Sequence, residues 1–334
     1  MKKLIVMLCV MAAVCGLVYA NGGSESQGTA QKAMVLRYAE NQPQDYPTTQ
    51  AAYEFAKMVE EKTGGRIKVE VYYGAQLGDE KSVIEQMQFG AIDFTRVSLS
   101  PLAEFNKALN VLQLPYLYRD SDHMWKVLEG SIGDEFLASV GANNLIGLSW
   151  FDAGARNFYN SVRPVRTLAD MKGLKIRVQE SQQMMDMVAA LGASPTPMAY
   201  GEVYSGLQTG VIDGAENNWP SYESTSHYEV AKYFVLDEHT RVPEMQMVSA
   251  VTWKKLSAED QAIIREAALE SAKIERKLWA AKEKASEEKV KAGGSVVTEL
   301  AAGEKQKFQD AMTPLYTKYG AGYEDVIARI QATK

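Results

Sequence analysis

Arg177 occupies a position in the chain where it could bind an anion. From Leu174 to Val178 apolar and basic residues alternate, which is the pattern of a strand with one buried face. We therefore expect Arg177 on the face opposite to the apolar side chains, where its guanidinium needs an anionic partner. Either an anionic ligand or an ordinary surface ion pair within the protein satisfies that need.

A second cluster of polar side chains follows a later run of strand character, Val211 to Ala215. Glu216, Asn217 and Asn218 come directly after that run, just before a Trp-Pro pair. Ligands of α/β sheets usually bind at the ends of strands. The segment that holds Arg177 and these three residues is therefore the part of the chain that we expect to form a binding site.

Sequence patterns of the common catalytic and metal centres are missing. The three histidines, His123, His227 and His239, lack the helical spacing of a zinc site. The chain has no G-x-S-x-G elbow, no phosphate-binding G-x-x-x-x-G-K-[ST] loop and no G-x-G-x-x-G after a strand. These observations favour a binding protein without metal or cofactor. A secreted sugar-acid enzyme, such as a lyase or an isomerase, is the alternative from another class.

Composition and charge indicate a globular protein of two lobes. The chain has 334 residues, of which 46% are hydrophobic and 23% charged. A chain of that length is longer than a single hydrophobic core usually supports, which favours two lobes. The formal net charge of −6 argues against a nucleic-acid partner.

The N-terminal residues predict export. Residues 1–20 combine two lysines, a short apolar run and small residues before a cleavage site after Ala20, which is typical of a secretory signal peptide. A retained membrane anchor is disfavoured because the run is short, and lipid attachment at Cys15 is a second alternative. Residues 21–33 read as a flexible linker. Since Cys9 and Cys15 both lie in the leader, we expect a periplasmic protein without thiols.

The order of the predicted elements indicates an α/β fold with two lobes. Strand patterns alternate with helical patterns, which favours a mostly parallel sheet flanked by helices in each lobe. Residues 34–153 with about 242–275 are predicted to form lobe I, and residues 154–241 with about 276–334 to form lobe II.

One long helix is predicted to connect the lobes. Residues 257–292 contain no Gly or Pro and begin with Ser257, which can cap a helix. Such a helix is roughly 54 Å long at ~1.5 Å per residue, whereas a lobe of half this chain is only about 38 Å across. We therefore expect it to run over both lobes; two helices broken near Ser286 are the alternative.

Taken in this order, the whole chain after the leader resembles the periplasmic solute-binding proteins of TRAP transporters, the DctP family. The motifs that carry the resemblance are LGDE at 77–80, GAIDF at 90–94, LPY at 114–116, DMKGLKIRV at 170–178, LGASPTPM at 191–198, EVYSGLQTGVIDG at 202–214 and EN at 216–217. The resemblance implies a two-lobed fold that closes on a small organic acid. It also implies a monomeric receptor that delivers this acid to an integral membrane permease.

The resemblance also implies the site residues. The family arginine falls on Arg177, which is expected to hold the ligand carboxylate through two parallel hydrogen bonds. The family asparagine falls on Asn217, and a second arginine matches Arg156. By local correspondence the remaining cleft residues are Glu80, Arg96, Glu180, Tyr200 and Asn41. Glu80 could instead only favour a helix start, and Tyr200 could belong to the core.

The ligand class follows from the charged residue at position 96. Relatives that bind other acids commonly have an apolar or aromatic residue there, and Arg96 with Glu80, Glu180 and Asn41 predicts a polar cleft for a hydroxyl-rich acid. The stretches AENQPxxYP at 39–47 and DEHTRVPE at 237–244 resemble the subgroup that binds glucuronate and galacturonate. A smaller aldonate such as erythronate and a C4-dicarboxylate are the alternatives.

Overall fold

The computed structural model of this chain describes residues 33–334, and these contain eleven strands in two sheets. The strands are β1 (Met34–Ala39), β2 (Ile67–Tyr72), β3 (Phe94–Ser98), β4 (Leu145–Phe151), β5 (Asn157–Asn160), β6 (Lys175–Val178), β7 (Ser194–Pro197), β8 (Gly214–Asn217), β9 (Tyr233–Leu236), β10 (Glu244–Ser249) and β11 (Val296–Glu299). The predicted leader 1–20 and the linker up to residue 32 lie outside the described residues.

Fourteen α-helices flank the sheets in this part of the chain. They are α1 (Pro47–Lys62), α2 (Glu80–Gln88), α3 (Leu99–Leu102), α4 (Ser121–Leu128), α5 (Ser131–Ser139), α6 (Gln182–Ala190), α7 (Val203–Thr209), α8 (Trp219–Ser224), α9 (His227–Val230), α10 (Ala250–Trp253), α11 (Ala258–Ala292), α12 (Glu304–Ala311), α13 (Thr313–Tyr319) and α14 (Glu324–Ala332). Among residues 33–334, none of the helices has the length and apolar character that crossing a membrane requires.

The first sheet has five strands in the order β2-β1-β3-β10-β4. Only β10 runs against its neighbours, so the prediction of a mostly parallel sheet is confirmed with one reversed strand. Every residue of the central strand β3 is buried. On one face of this sheet Phe94 packs against Tyr38 and against Phe55 of α1, with ring centroids 6.4 Å and 5.2 Å apart.

The second sheet has six strands in the order β11-β9-β5-β8-β6-β7. Only β5 is antiparallel to both of its neighbours, β8 and β9. An aromatic group fills the core beside it, where Trp219 stacks on Phe234 at 3.8 Å and Tyr159 lies 4.6 Å from Tyr222. This sheet carries Arg177 on β6 and Asn217 on β8.

The long helix is a single element, as predicted. Helix α11 has 35 residues, and the Ser257 side chain caps it by accepting a hydrogen bond from the Asp260 backbone. It packs against α1 and β4 on the side of the first sheet and against α8 on the side of the second. The alternative of two helices broken near Ser286 is wrong, because Ser286 is a buried residue inside α11.

Besides α11, which leads from the first sheet to β11 of the second, the chain passes between the sheets at two adjacent crossovers. One connects β4 to β5 and the other connects β9 to β10, and the Arg156 backbone N–H donates to the Thr240 carbonyl between them at 2.9 Å. At Gly154 the first crossover turns with φ of +59° against α11, where an added Cβ would lie 3.1 Å from the Trp279 ring nitrogen. The exact lobe boundaries given above stay a prediction.

Candidate functional site

The strand ends of the two sheets meet at a cleft with a cavity of about 110 Å³. From the first sheet, the residues after β1 and β2 line it, among them Asn41, Asp79 and Glu80. From the second sheet, the residues at and after the ends of β6 and β7 line it, among them Arg177, Gln179, Glu180 and Tyr200. Because most strands of each sheet run in one direction, their carboxyl ends collect polar side chains on the two facing edges.

Arg177 is a buried cation on the second sheet. Its residue surface is 3% exposed, and its Nε and Nη2 atoms donate to the Met198 carbonyl at 3.0 Å and 2.7 Å. Within residues 33–334 no carboxylate oxygen lies within 4.0 Å of its guanidinium nitrogens. Burial lowers the pKa of this arginine. The strand face opposite to the apolar side chains is therefore not a solvent-exposed face, because Arg177 is buried beneath the cleft.

Arg96 lies at the other side of the cleft, enclosed by three glutamates. Its Nε donates to Glu40 at 3.1 Å and its Nη2 forms a second, very short contact with the same carboxylate. Its Nη1 lies 3.2 Å from Glu244 and 3.5 Å from Glu80. Nη2 also donates to the Asn41 side chain at 2.8 Å. We call Arg96, Glu40, Glu80 and Glu244 the Arg96 cluster.

The Arg96 cluster carries more acid than its arginine can neutralise. Three carboxylates and one guanidinium leave a formal charge of −2 when all are ionised. Burial, followed by the neighbouring Glu244, raises the pKa of Glu80 to about 7. Burial also raises the pKa of Glu244, although Arg96 opposes that rise. The cluster therefore already holds negative charge in a site that disfavours it.

Arg156 is paired within the protein. Its Nη2 donates to Glu216 Oε1 at 2.9 Å and to the Glu216 carbonyl at 3.0 Å, and its Nε contacts Oε2. Burial alone would raise the pKa of Glu216, but Arg156 and His239 lower it to about 2. His239 lies 3.6 Å from that carboxylate and 2.9 Å from Asp237. Arg156 thus joins the first crossover to the end of β8.

The cleft also presents polar atoms whose hydrogen-bonding capacity is unused. The Tyr200 hydroxyl is buried and forms no hydrogen bond of regular geometry within residues 33–334, although the side chains of Gln42, Ser221 and Ser224 lie near it. Buried polar groups without partners are uncommon, and a ligand is one explanation for them. Asn217, which is 4% exposed, accepts a hydrogen bond from the Asn218 backbone through Oδ1 at 2.9 Å.

Several hydrogen bonds connect the residues of the two sheets across the cleft region. Ser98 at the end of β3 donates through its hydroxyl to the Gln179 side chain at 3.3 Å. The Tyr46 hydroxyl, just before α1, lies 2.9 Å from the Ser221 hydroxyl of α8. The structure therefore holds the two edges against each other around the buried Arg177.

The eight predicted site residues fall into two groups. Those that line the cleft are Arg177, Glu80, Glu180, Tyr200 and Asn41. Those that lie behind its surface are Arg96, Arg156 and Asn217, each at most 4% exposed. Sequence reasoning missed Gln179 in the first group and the partners Glu40 and Glu244 in the second. The sequence signal for those partners was a glutamate at a predicted strand end. A buried arginine without a partner is costly, so such a glutamate is a candidate to pair with it.

Chemically, the cleft combines several acceptors with Arg177, a cation that has no carboxylate within 4.0 Å among residues 33–334. No group of three or more metal-binding side chains is arranged for an ion within the described part of the chain. A planar guanidinium with free N–H groups fits a carboxylate. The carboxylates and amides opposite it fit hydroxyl donors.

Comparison with known proteins places this geometry in a family. Residues 38–322 match the family described as bacterial extracellular solute-binding protein, family 7. A solute-binding protein of Chromohalobacter salexigens is 43% identical over 95% of this chain and 93% of its own length.

Solved structures of similar proteins contain hexuronates. A TRAP periplasmic solute-binding protein of a Bradyrhizobium species, in complex with D-galacturonate, is 46% identical with a TM-score of 0.86, covering 89% of this chain and 99% of that one. The corresponding protein of Pseudomonas putida F1, with bound D-glucuronate, is 42% identical with a TM-score of 0.88, covering 90% and 98%.

Proposed function

The chain belongs to family 7 of the bacterial extracellular solute-binding proteins, and we propose that it is the receptor of a TRAP-type transporter for a hexuronate such as D-glucuronate or D-galacturonate. One observation carries the proposal. Arg177 is a buried arginine in the cleft with no carboxylate partner within residues 33–334. A buried charge needs a counter-charge, and a bound carboxylate supplies it.

In the proposed complex the ligand carboxylate forms a bidentate salt bridge with Arg177. The guanidinium already uses Nε and Nη2 toward the Met198 carbonyl, which fixes its plane. Three N–H groups remain, two on Nη1 and one on Nη2, and these can donate to the two oxygens of a carboxylate. A lysine would supply the charge without fixing the orientation.

The sugar hydroxyls are placed against the acceptors of the facing edges. Glu80, Glu180 and Gln179 line the cleft and offer oxygens to hydroxyl donors, and Tyr200 offers a hydroxyl. A pyranose with several hydroxyls satisfies more of these groups than a short aliphatic acid does. The bound hexuronates of the similar structures support this choice of ligand.

Capture works through closure of the cleft. Hydrogen bonds such as Ser98 to Gln179 form only while the two edges are close together. A ligand that bridges both edges favours this closed arrangement, whereas a ligand that bound both arrangements equally would shift nothing. The closed receptor, which lies outside the cytoplasm, then delivers the acid to the membrane permease subunits.

A thermal-shift screen against organic acids tests the proposal. At 100 times its dissociation constant a ligand adds about 2.7 kcal/mol to the free energy of unfolding. D-glucuronate and D-galacturonate are expected to raise the melting temperature, whereas succinate and D-erythronate should raise it less. A shift with succinate and none with either hexuronate would refute the sugar-acid assignment.

A further inference from the structure

We propose that the Arg96 cluster restricts the cleft to acids with a single carboxylate, so that hexuronates bind and sugar diacids or C4-dicarboxylates do not. This inference rests on the proposed function, because it assumes that one carboxylate of the ligand occupies Arg177. It concerns the opposite end of the ligand. The residue that applies the restriction is Glu80, the member of the cluster that lines the cleft.

The two ends of the cleft differ in sign. Arg177 has no carboxylate within 4.0 Å in the part of the chain that the structure describes, and Glu216, which acts on it through charge, is already paired with Arg156, so this end of the cleft is positive. The Arg96 cluster combines three carboxylates with one guanidinium, so its end carries an excess of negative charge once Glu80 is ionised, above a pH of about 7. A ligand with one carboxylate and several hydroxyls has the matching polarity.

Arg96 cannot serve as a second carboxylate anchor. Its Nε and Nη2 are bonded to Glu40, and Nη2 also donates to Asn41 and to the Thr48 hydroxyl at 3.3 Å. Its Nη1 faces Glu244 and Glu80. With 1% of its side chain exposed, it has no surface left for a ligand. The two arginines therefore differ in function although both lie beside the same cleft.

Glu80 presents an acceptor to the ligand. Its Oε1 accepts the Ser98 backbone N–H at 2.8 Å, which holds the carboxyl group at the start of α2. No donor from residues 33–334 forms a hydrogen bond to its other oxygen, Oε2. A hydroxyl can donate to that oxygen, whereas an ionised carboxylate has no proton to donate and carries the same charge.

The electrostatic environment of Glu80 supports the restriction. Burial, followed by the neighbouring Glu244, raises the pKa of Glu80, so both low solvation and like charge oppose its ionisation. A further carboxylate from a ligand would add to the same excess in a largely buried place. Salt would screen that repulsion poorly because the cluster is removed from solvent.

Two acyclic acids separate the effect of charge from that of ring shape. D-galactonate and galactarate have the same six-carbon chain and differ in one end, which is a hydroxymethyl group in the first and a carboxylate in the second. Titration calorimetry at a pH about one unit above the Glu80 pKa of about 7, where that carboxylate is ionised, would measure both, together with D-galacturonate, for the wild type, Glu80→Gln and Glu85→Gln. Glu85 is the matched control, because it lies exposed on the same helix, α2, away from the cleft.

Wild type and Glu85→Gln are expected to bind galactarate about 100-fold more weakly than galactonate. Glu80→Gln keeps an oxygen for the Ser98 N–H and removes the charge, so it should bind galactarate at least about tenfold more tightly than the wild type does. Equal affinity of the wild type for the two acids would overturn the inference. So would a Glu80→Gln protein that gains no affinity for galactarate while its melting curve remains cooperative.

The proposed function is tested separately by the same data set. Binding of D-galacturonate to the wild type supports the receptor assignment whatever happens with galactarate. If neither D-galacturonate nor D-glucuronate binds, the receptor assignment fails, and the selectivity inference falls with it.

Discussion

Two buried arginines on opposite sides of the cleft show how the surroundings of a side chain decide its role. Arg177 and Arg96 are 3% and 1% exposed, and each lies near the carboxyl end of a strand. Arg96 is enclosed by Glu40, Glu80 and Glu244. Within residues 33–334 the Arg177 guanidinium donates to the Met198 carbonyl and forms no ion pair. The proposed roles follow from this contrast, with Arg96 stabilising the protein and Arg177 binding the ligand.

The difference lies in the neighbouring loops rather than in the arginines. Glu40 follows β1 directly and Glu244 begins the reversed strand β10, so both reach the end of β3. Around β6, Gln179, Met198 and Tyr200 supply an amide, a carbonyl and a phenol, and the cleft carboxylate Glu180 forms no ion pair with Arg177 within residues 33–334. The counter-charge that one edge provides from within the chain is left to the ligand at the other edge.

The largest expected effect is on folding, from Arg96→Met. The substitution keeps much of the side-chain volume and leaves three buried carboxylates without their cation. We expect the free energy of unfolding to fall by about 3–5 kcal/mol, measured by urea denaturation at pH 7.5. Arg66→Met is the matched control, because Arg66 pairs with Asp260 at 2.7 Å through a half-exposed side chain.

The control should lose no more than about 1 kcal/mol, as exposed ion pairs do. If both variants lost the same small amount, the Arg96 cluster would have no structural role and the contrast between the two arginines would disappear. Lowering the pH toward 5 should reduce the loss in Arg96→Met, because protonation relieves the uncompensated carboxylates.

The second effect is on binding, from Arg177→Ala. Removing the charged group that pairs with the ligand carboxylate should weaken hexuronate binding at least about 100-fold, or about 2.7 kcal/mol, by calorimetry. Because Arg177 has no carboxylate partner among residues 33–334, the ligand-free protein should lose much less stability than Arg96→Met. Arg177→Lys is expected to recover part of the affinity, since it restores the charge without the planar fork.

Much of this arrangement could be predicted from the sequence. The alternation around Arg177 and the helical run that follows Ser257 are local sequence patterns. The structure confirms the strand β6 and the single long helix α11 that these patterns predicted. The partners of Arg96 could not be predicted in the same way. Glu40 and Glu244 lie 56 and 148 positions from Arg96 in the sequence, and only the parallel pairing of β1 with β3 and the reversed β10 bring them together.

For the same reason the sequence placed Arg96 and Arg156 in the cleft. An arginine near a strand end is equally suited to a ligand and to a carboxylate from another strand. Which partner it finds depends on sheet order, and sheet order is a property of the whole chain. Direct contact of Arg156 and Asn217 with a ligand stays a prediction, whereas the contacts of Arg96 with Glu40 and Glu244 leave it none in the binding mode proposed above.

The smallest effect is a change in pH dependence, from Glu80→Gln. The folded protein keeps a proton on Glu80 up to a pKa of about 7, whereas an unfolded chain releases it near the ordinary value of 4.5. Between these values the contribution of Glu80 to stability falls as pH rises, by up to about 1.4 kcal/mol per unit. Glutamine has no such proton, so the stability of Glu80→Gln relative to the wild type should increase from pH 5 to pH 7.

Denaturation curves of both proteins at several pH values measure this difference. Taking the difference cancels His227, whose pKa burial lowers to about 3 and whose contribution has the opposite sign in this range. A relative stability that stayed constant from pH 5 to pH 7 would show that Glu80 has an ordinary pKa in the folded protein.

A crystal structure of the protein with D-glucuronate tests the central claim most directly. The account predicts the ligand carboxylate on Arg177, with two N–H to oxygen distances of about 2.7–2.9 Å between heavy atoms, and the sugar hydroxyls directed to Glu80. Arg96 should keep its contacts with Glu40 and Glu244. A carboxylate bound at Arg96, or a hexuronate whose carboxylate is away from Arg177, would contradict the account.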